Sequence, residues 1–300
     1  MGHRTRIYID GYNLYYGCLK GSHLKWLDLI ALFEKQIIPS ILATHNGNPV
    51  QFELDPLAIK LFTAKIHESA AKSSDSVSSQ SRYHTALRKL YDGRLAIIEG
   101  YYSRNPTKIR TIDAANPGQP YIQCPEVLAW KLEEKQSDVN LALHAYHDAV
   151  SAAVDQVIFV TNDTDIAPAM QMVREHTNAI VGLVVPTTDH VRNPNGELTK
   201  LAHWVRSHIT VAELEASQLP RVIPGRKPTT KPDSWYRNPD IFMDILELTI
   251  GIRGSRSKAF QWLQQGNANF QGLSPLQAIE ATDAGAQVVL DYITHYLEAR

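Results

Sequence analysis

Only two cysteines occur in the 300 residues, Cys18 and Cys124, and neither sits in a Cys-x-x-Cys or Cys-x-x-His setting. This scarcity leaves no support for a disulfide framework or a zinc site, and small apolar filler is the role expected of each. No apolar segment approaches the roughly eighteen residues that span a bilayer. The opening Met-Gly-His-Arg-Thr-Arg runs straight into a strand-like stretch rather than into a signal-peptide core, so a cytoplasmic location is expected. Charge of one sign is lacking too: the net charge is −1 and the pI about 6.9. That speaks against a broadly basic surface for nucleic acid, though not against a local patch.

What is present suffices for a folded chain, since 44% of the residues are hydrophobic and the length suits one large domain plus a smaller one. Val157-Ile-Phe-Val-Thr-Asn-Asp-Thr-Asp-Ile166 joins an apolar, β-rich run to two carboxylates, and Pro168 then suits the first turn of a helix. Asp163 and Asp165 are thus expected on a strand-to-helix loop, where open parallel sheets bind ligands. Asp and Asn also favour turns and caps for purely structural reasons, so the pair alone does not decide the matter. A second acidic strand end is Arg6-Ile-Tyr-Ile-Asp-Gly-Tyr-Asn13. A third acid is Asp138, in the first turn of a helix that Ser137 is expected to cap and that runs through Leu141, Ala145 and Tyr146.

Between these features, Trp26, Ile30, Phe33 and Ile37 repeat at helical spacing until Pro39, and residues 57–66, 95–98 and 180–185 read as buried strands. Residues 68–81 have the composition of a flexible loop, followed by a helix through Tyr83, Leu87 and Leu90 that Gly93 closes. Residues 103–125 are polar and broken by Pro106, Pro117, Gly118 and Pro120, which predicts a long surface loop facing a substrate. A polar loop follows Thr187 as far as Asn195, residues 198–202 resemble a short helix, and residues 208–211 suit a last edge strand. This alternation favours a parallel sheet with helices on both faces, ending near Glu215. Residues 216–239, with Pro and basic residues, read as a basic semi-extended linker, and residues 240–300 as a small helical domain. Basic residues with interleaved tyrosines between Arg82 and Arg110 suit phosphate contact with base stacking, or equally a solvated helix face and a loop.

In order, IYIDGYNLYYG, KWLDL, FTAKI, EEKQSDVNLALHAYHDA and VIFVTNDTDIAP resemble the bacterial NYN domains of the PIN-like nucleases over about residues 5–212. The resemblance implies an α/β, PIN-like three-layer fold with a mostly parallel sheet, and a metal-dependent endoribonuclease acting on RNA, preferably single-stranded. Carried over by position, Asp10, Asp138, Asp163 and Asp165 are its catalytic acids and ligands for Mg²⁺ or Mn²⁺. Asn13, Asn162, Arg82, Arg104, Lys108 and Arg110 are assigned to the substrate. Many NYN sequences have Ser where this chain has Asn162. The tail, from Phe260 through the Leu273-Ser-Pro-Leu-Gln-Ala stretch, resembles the toxin-binding domain of Xre/ParS-type antitoxins, which implies docking of a protein partner or a second copy. Two alternatives stand beside the nuclease. One is a non-catalytic RNA-binding scaffold with a degenerate site; the other is a phosphatase-like enzyme, disfavoured because position 12 is Tyr where an Asp-x-Asp would be expected.

Overall fold

The computed structural model describes residues 2–299 apart from 69, 70, 72, 189 and 190. Parts of the loop expected after Glu68 and of the one expected after Thr187 therefore lie outside the described residues.

The chain begins with β1 (His3–Asp10) and the single turn α1 (Gly11–Leu14), which widens into π-type turns through Leu19. Next come α2 (Leu29–Ala31), carried on by wide turns to Ile37, the small hairpin β2 (Thr44–His45) and β3 (Asn48–Pro49), and the long strand β4 (Phe52–Ala64). Then follow α3 (Ser76–Leu90), β5 (Leu95–Arg110), β6 (Glu126–Lys135), α4 (Ser137–Val150), β7 (Gln156–Val160), α5 (Ala167–His176) and β8 (Ile180–Val184). The first half closes with α6 (Gly196–Leu201), β9 (Trp204–Arg206) and α7 (Val211–Ala216). Last come a hairpin, β10 (Val222–Ile223) with β11 (Thr229–Thr230), and four helices, α8 (Pro239–Arg253), α9 (Arg256–Leu263), α10 (Pro275–Ala281) and α11 (Gly285–Glu298).

Seven strands form one sheet in the order β6-β5-β4-β1-β7-β8-β9. Every neighbouring pair is parallel except β5 with β6. Because side chains alternate along a strand, each face builds its own core. Ile7 and Ile9 of β1 and Ile158 and Val160 of β7 pack with Trp26, Phe33 and Leu87 on one side. Tyr8, Phe62, Val157 and Phe159 pack with Leu141 and Ala145 of α4 and Met170 and Val173 of α5 on the other. This is the expected α/β sandwich with a mostly parallel sheet. A third cluster, from Tyr236 through Phe242, Phe260 and Phe270 to Ile293, lies among the last four helices.

Several expectations are revised. The surface loop predicted for 103–125 is strand in its first part: β5 runs on to Arg110, paired along its length with β6 from Glu126, and this pairing outweighs its proline, whereas 111–125 form the connection between the two strands. Helix α3 already starts at Ser76, inside the predicted loop. The edge strand is Trp204–Arg206, and Val211 instead opens α7, where Thr210 and Glu213 form a reciprocal cap. The Pro-rich stretch packs against the first core rather than running free. Trp26 donates through Nε1 to the Pro220 carbonyl at 2.9 Å, Lys89 donates through Nζ to Thr229 Oγ1 at 2.8 Å, and Trp235 stands edge-on to Trp26.

One polar knot crosses the second core. Asp148, near the end of α4, accepts on a single carboxylate oxygen from Arg6 (2.7 Å), Tyr8 (2.7 Å) and Lys60 (2.6 Å), all buried. Burial pushes the Asp148 carboxyl up, but the hydrogen bonds from Lys60, Tyr8 and Arg6 outweigh it and hold the group below its ordinary value. Removing the acceptor would strip both buried cations of their shared carboxylate, leaving Arg6 to Asp55 and the Leu57 carbonyl and Lys60 to the neutral ring of His144. Asp148→Ala is expected to lower stability by about 3–5 kcal/mol, read from urea unfolding, with Asp148→Asn costing less; an unchanged midpoint in both would refute the clasp.

Candidate active site at the carboxyl edge of the sheet

β1 and β7 lie side by side and parallel, so Asp10 and the turn after Val160 emerge at the same edge. Asp10 is buried and fully engaged. Its Oδ1 accepts from the backbone N–H of Tyr12 (3.0 Å) and Asn13 (2.9 Å), and its Oδ2 from Asn13 Nδ2 (2.6 Å) and Thr161 Oγ1 (3.0 Å). It is thus the cap of α1 and a tie between β1 and β7. Burial raises its pKa, against those hydrogen bonds, and Asp163 adds to the rise.

Asp163 caps the helical turn that follows β7, accepting from the Asp165 N–H at 3.0 Å, and its own N–H reaches Thr161 Oγ1 at 3.1 Å. Asp165 is exposed in that turn. Asn162 holds a neighbouring loop, donating to the Asn193 carbonyl (3.1 Å) and accepting from the Asn195 N–H (2.8 Å). The same loop is pressed onto the π-type turn after α1: a Cβ on Gly17 would lie 1.7 Å from the Pro186 carbonyl oxygen, so only glycine fits there.

Asp138 completes the group. It stands in the first turn of α4, and the residue ahead of that helix is Gln136, in the left-handed region at φ 80°, instead of the expected Ser137. Ser137 is buried and donates to Glu134 at 2.6 Å. Burial comes first among the causes that raise the Asp138 carboxyl from 3.8 to about 6, followed by the negative charges of Asp10, Asp163, Glu134 and Asp165. The four acids singled out from sequence therefore share one electrostatic environment.

Aromatic residues flank them: Tyr102, one of the tyrosines interleaved with the basic residues, and Tyr12, Tyr15 and Tyr16, which the sequence reading did not assign to the site. Tyr12 stands edge-on to Tyr102 at 6.2 Å between centroids, Tyr15 to Tyr16 at 5.3 Å, and Lys20 Nζ lies 4.8 Å from the Tyr16 ring centre. Tyr102 faces Glu134 across the β5–β6 ladder, which joins this cluster to Asp138. The signal available was IYIDGYNLYYG itself, where tyrosines at 12, 15 and 16 surround the acid. The basic residues assigned to substrate are placed otherwise. Arg82 lies exposed on α3. Arg104 covers Trp130 at 5.0 Å, and Arg110 holds the far end of the hairpin through Glu126 and the carbonyls of Ile122 and Cys124. Lys108 is exposed farther along β5. Cys18 is buried with its thiol pushed up to about 12, which removes it as a nucleophile.

Carboxylates and tyrosines gathered at the carboxyl ends of parallel strands make this sheet edge the candidate site of an α/β protein. The chain is 56% identical over 296 residues to the 6-hydroxy-3-succinoylpyridine 3-monooxygenase HspA of Pseudomonas putida (strain DSM 28022 / S16), covering 98% of this chain and 95% of the relative, and it belongs to that protein's family. No family model matches the sequence. A solved protein of unknown function from Vibrio parahaemolyticus aligns at 16% identity over 73% of this chain and 97% of its own, with a TM-score of 0.39, a likeness that carries no argument.

The relative overturns the NYN ribonuclease reading. It is named as a monooxygenase, an oxidoreductase, whereas the motifs had implied a hydrolase acting on RNA with Mg²⁺ or Mn²⁺. The scaffold reading and the antitoxin-like tail, with the partner or second copy it implied, fall with it. The physical reason is that an open parallel sheet collects polar residues at its carboxyl edge whatever the chemistry. The spacing of Asp10, Asp138 and Asp163 reports topology. Among the described residues, no group of three or more His, Cys, Asp or Glu is arranged to hold a metal ion, and no helix is long and apolar enough to cross a membrane.

The raised Asp138 pKa has a stability consequence. The folded state holds this proton more tightly than the unfolded chain, so the carboxyl is neutral and harmless below about pH 4 and destabilises the fold increasingly up to about pH 6. A shift of this size corresponds to about 3 kcal/mol, cut to about 1–2 kcal/mol by solvent screening of a half-buried group. Asp138→Asn is expected to raise the melting temperature at pH 8 and leave it unchanged at pH 4; equal melting curves at both pH values would refute the coupling.

Proposed function

We propose that the chain is an oxidative enzyme that places one oxygen atom of O₂ on the ring of a hydroxylated pyridine carrying a carboxylate side chain. The observation that carries this reading is the 56% identity, along nearly the whole of both chains, to a protein named for acting at position 3 of 6-hydroxy-3-succinoylpyridine. On such a ring carbon 3 carries the succinoyl group, so the carbon–oxygen bond forms there as the carbon–carbon bond to that group breaks, the acyl group passing to water and leaving as the carboxylic acid. The hydroxyl at carbon 6 is para to this carbon. Taking its proton pushes electron density toward the carbon to be oxidised.

Asp138 is the residue proposed to take that proton. A carboxyl whose pKa lies about 6 is more basic than an ordinary aspartate and still largely ionised at neutral pH. Asp163 and Asp165 act through Asp138 by their negative charge. Asp10 and Asn13 act as positioning residues, and Asn162 holds the loop. Tyr12, Tyr16 and Tyr102 offer ring faces and edges for the pyridine, and Lys20 beside Tyr16 is the cation proposed to meet the carboxylate tail.

Monooxygenation needs two electrons to reduce the second oxygen atom to water, a task for which flavin or reduced nicotinamide is the usual source. The first strand-to-helix turn does not fit the pyrophosphate of a dinucleotide. It lacks Gly-x-Gly-x-x-Gly, and the Tyr12 and Asn13 N–H groups that would meet a phosphate are taken by the Asp10 carboxylate. Asp138 and Asp163 add repulsion. No step is therefore drawn through such a group at this edge.

The test supplies the purified protein with 6-hydroxy-3-succinoylpyridine, a two-electron reductant and isotopically labelled dioxygen. One labelled oxygen in the product is expected, with turnover rising along a limb near pH 6. Asp138→Asn is expected to lower kcat about 10²–10⁴-fold, and Lys20→Ala to raise KM with kcat little changed. Absence of label from the product with flavin and nicotinamide reductants alike would overturn the assignment.

A further inference from the structure

Beyond Gly100 the strand β5 leaves β4, whose pairing with it ends at Ala64 opposite Gly100. From Tyr101 outward it is paired with β6 alone, and β6 is the edge of the sheet. Such an edge presents unpaired backbone groups, which proteins usually shield with a cover, a bulge or inward-pointing charge. Here Leu128, Trp130 and Leu132 are 73%, 68% and 37% exposed. They share one face of the ribbon, since side chains alternate along a strand.

The hydrogen-bond parity of the ribbon fixes where their backbone points. Thr111 donates its N–H to the Pro125 carbonyl at 3.0 Å, so the 111/125 position is of the bonded type. In an antiparallel ladder bonded and non-bonded pairs alternate. Arg110 with Glu126, Lys108 with Leu128, Pro106 with Trp130 and Arg104 with Leu132 are therefore the non-bonded pairs. Pro106, with no N–H to give, agrees with this. The N–H and C=O groups of Leu128, Trp130 and Leu132 consequently face the open edge.

On this face the series Leu128, Trp130, Leu132 reads the same from either end. An antiparallel strand pair with a two-fold axis at Trp130 sets Leu128 against the second copy's Leu132 and Trp130 against itself, an isologous contact of the kind closed dimers use. Backbone donors and acceptors of the three residues then meet in the bonded register. Glu126 and Glu134, which come opposite each other, are already engaged with Arg110 and Ser137. Shifting the axis by one residue to Lys131 would put two lysines directly across and set Leu128 against Glu134, which is unfavourable. We infer that β6 pairs edge to edge with β6 of a second copy of this chain, with the two-fold axis at Trp130, joining two sheets into one. This surface is distinct from the C-terminal helices and does not depend on the proposed reaction.

Sedimentation velocity on the full chain tests it. The wild type is expected at twice the 33.6 kDa chain mass. Leu128→Lys and Leu132→Glu alone each place like charges near the axis or strand a charge against leucine, and each is expected to sediment as a monomer with unchanged circular dichroism. The double variant sets opposite charges face to face on both sides of the axis and is expected to regain the dimer. A wild type that is monomeric at every concentration, single variants that remain dimeric, or a double variant that stays monomeric would each overturn the proposal.

Discussion

One oxygen atom of Asp148 takes hydrogen bonds from Arg6, Tyr8 and Lys60, and much of the molecule hangs on that contact. Arg6 and Tyr8 belong to β1, Lys60 to β4, and Asp148 to α4, so a single buried carboxylate ties the central strands to the helix that covers them. Arg6 reaches on to Asp55 at 2.5 Å, which spreads the charge and leaves no buried cation unanswered. A buried cluster of this kind is costly to break and tolerates few alternative arrangements. It therefore sets both the rotation and the height of α4 over the sheet.

That placement matters most ten residues upstream, where the other end of α4 carries Asp138. The two acids on one helix have opposite energetics. Asp148 is stabilised by its partners, whereas Asp138 is pressed by burial and by like charges until its pKa lies well above the ordinary carboxylate value. Strain of that sort persists only where the surroundings over-determine it. Here the Asp148 clasp, the Glu134 bonds to Ser137 and the left-handed Gln136 hold the helix start in place. The site is built by spending stability at one end of α4 that the other end supplies.

The parallel sheet, the helices on both faces and the gathering of Asp10, Asp138, Asp163 and Asp165 were legible in sequence, because hydrophobic period and turn chemistry are local signals. The β5–β6 ribbon was not. Its residues 103–110 and 126–135 alternate weakly, carry proline, and owe their strand state to each other across a long connection, which a local pattern does not register. The Asp148 clasp was hidden for a similar reason: Arg6, Tyr8 and Asp10 alternate on one face of β1, a buried polar stripe whose partner lies on a distant helix. Chemistry was the least legible of all. Acids at strand ends follow from the fold, so their pattern resembled a nuclease while the full-length relative is a monooxygenase.

The electrostatics of the edge constrain how any substrate could lie there. In open α/β sheets the first strand-to-helix turn commonly offers its N–H groups to a phosphate, yet here the chain fills that position with its own Asp10 carboxylate and surrounds it with further acids. An anionic group is repelled from that end, whereas a group with a proton to give is attracted to it. A hydroxypyridine with an acid side chain has one end of each kind. In the function proposed above, its hydroxyl is assigned to Asp138, its ring to the tyrosines and its carboxylate to Lys20, which lies beside the Tyr16 ring. The orienting charge in that proposal comes from the same cluster of acids that gives Asp138 its affinity for a proton.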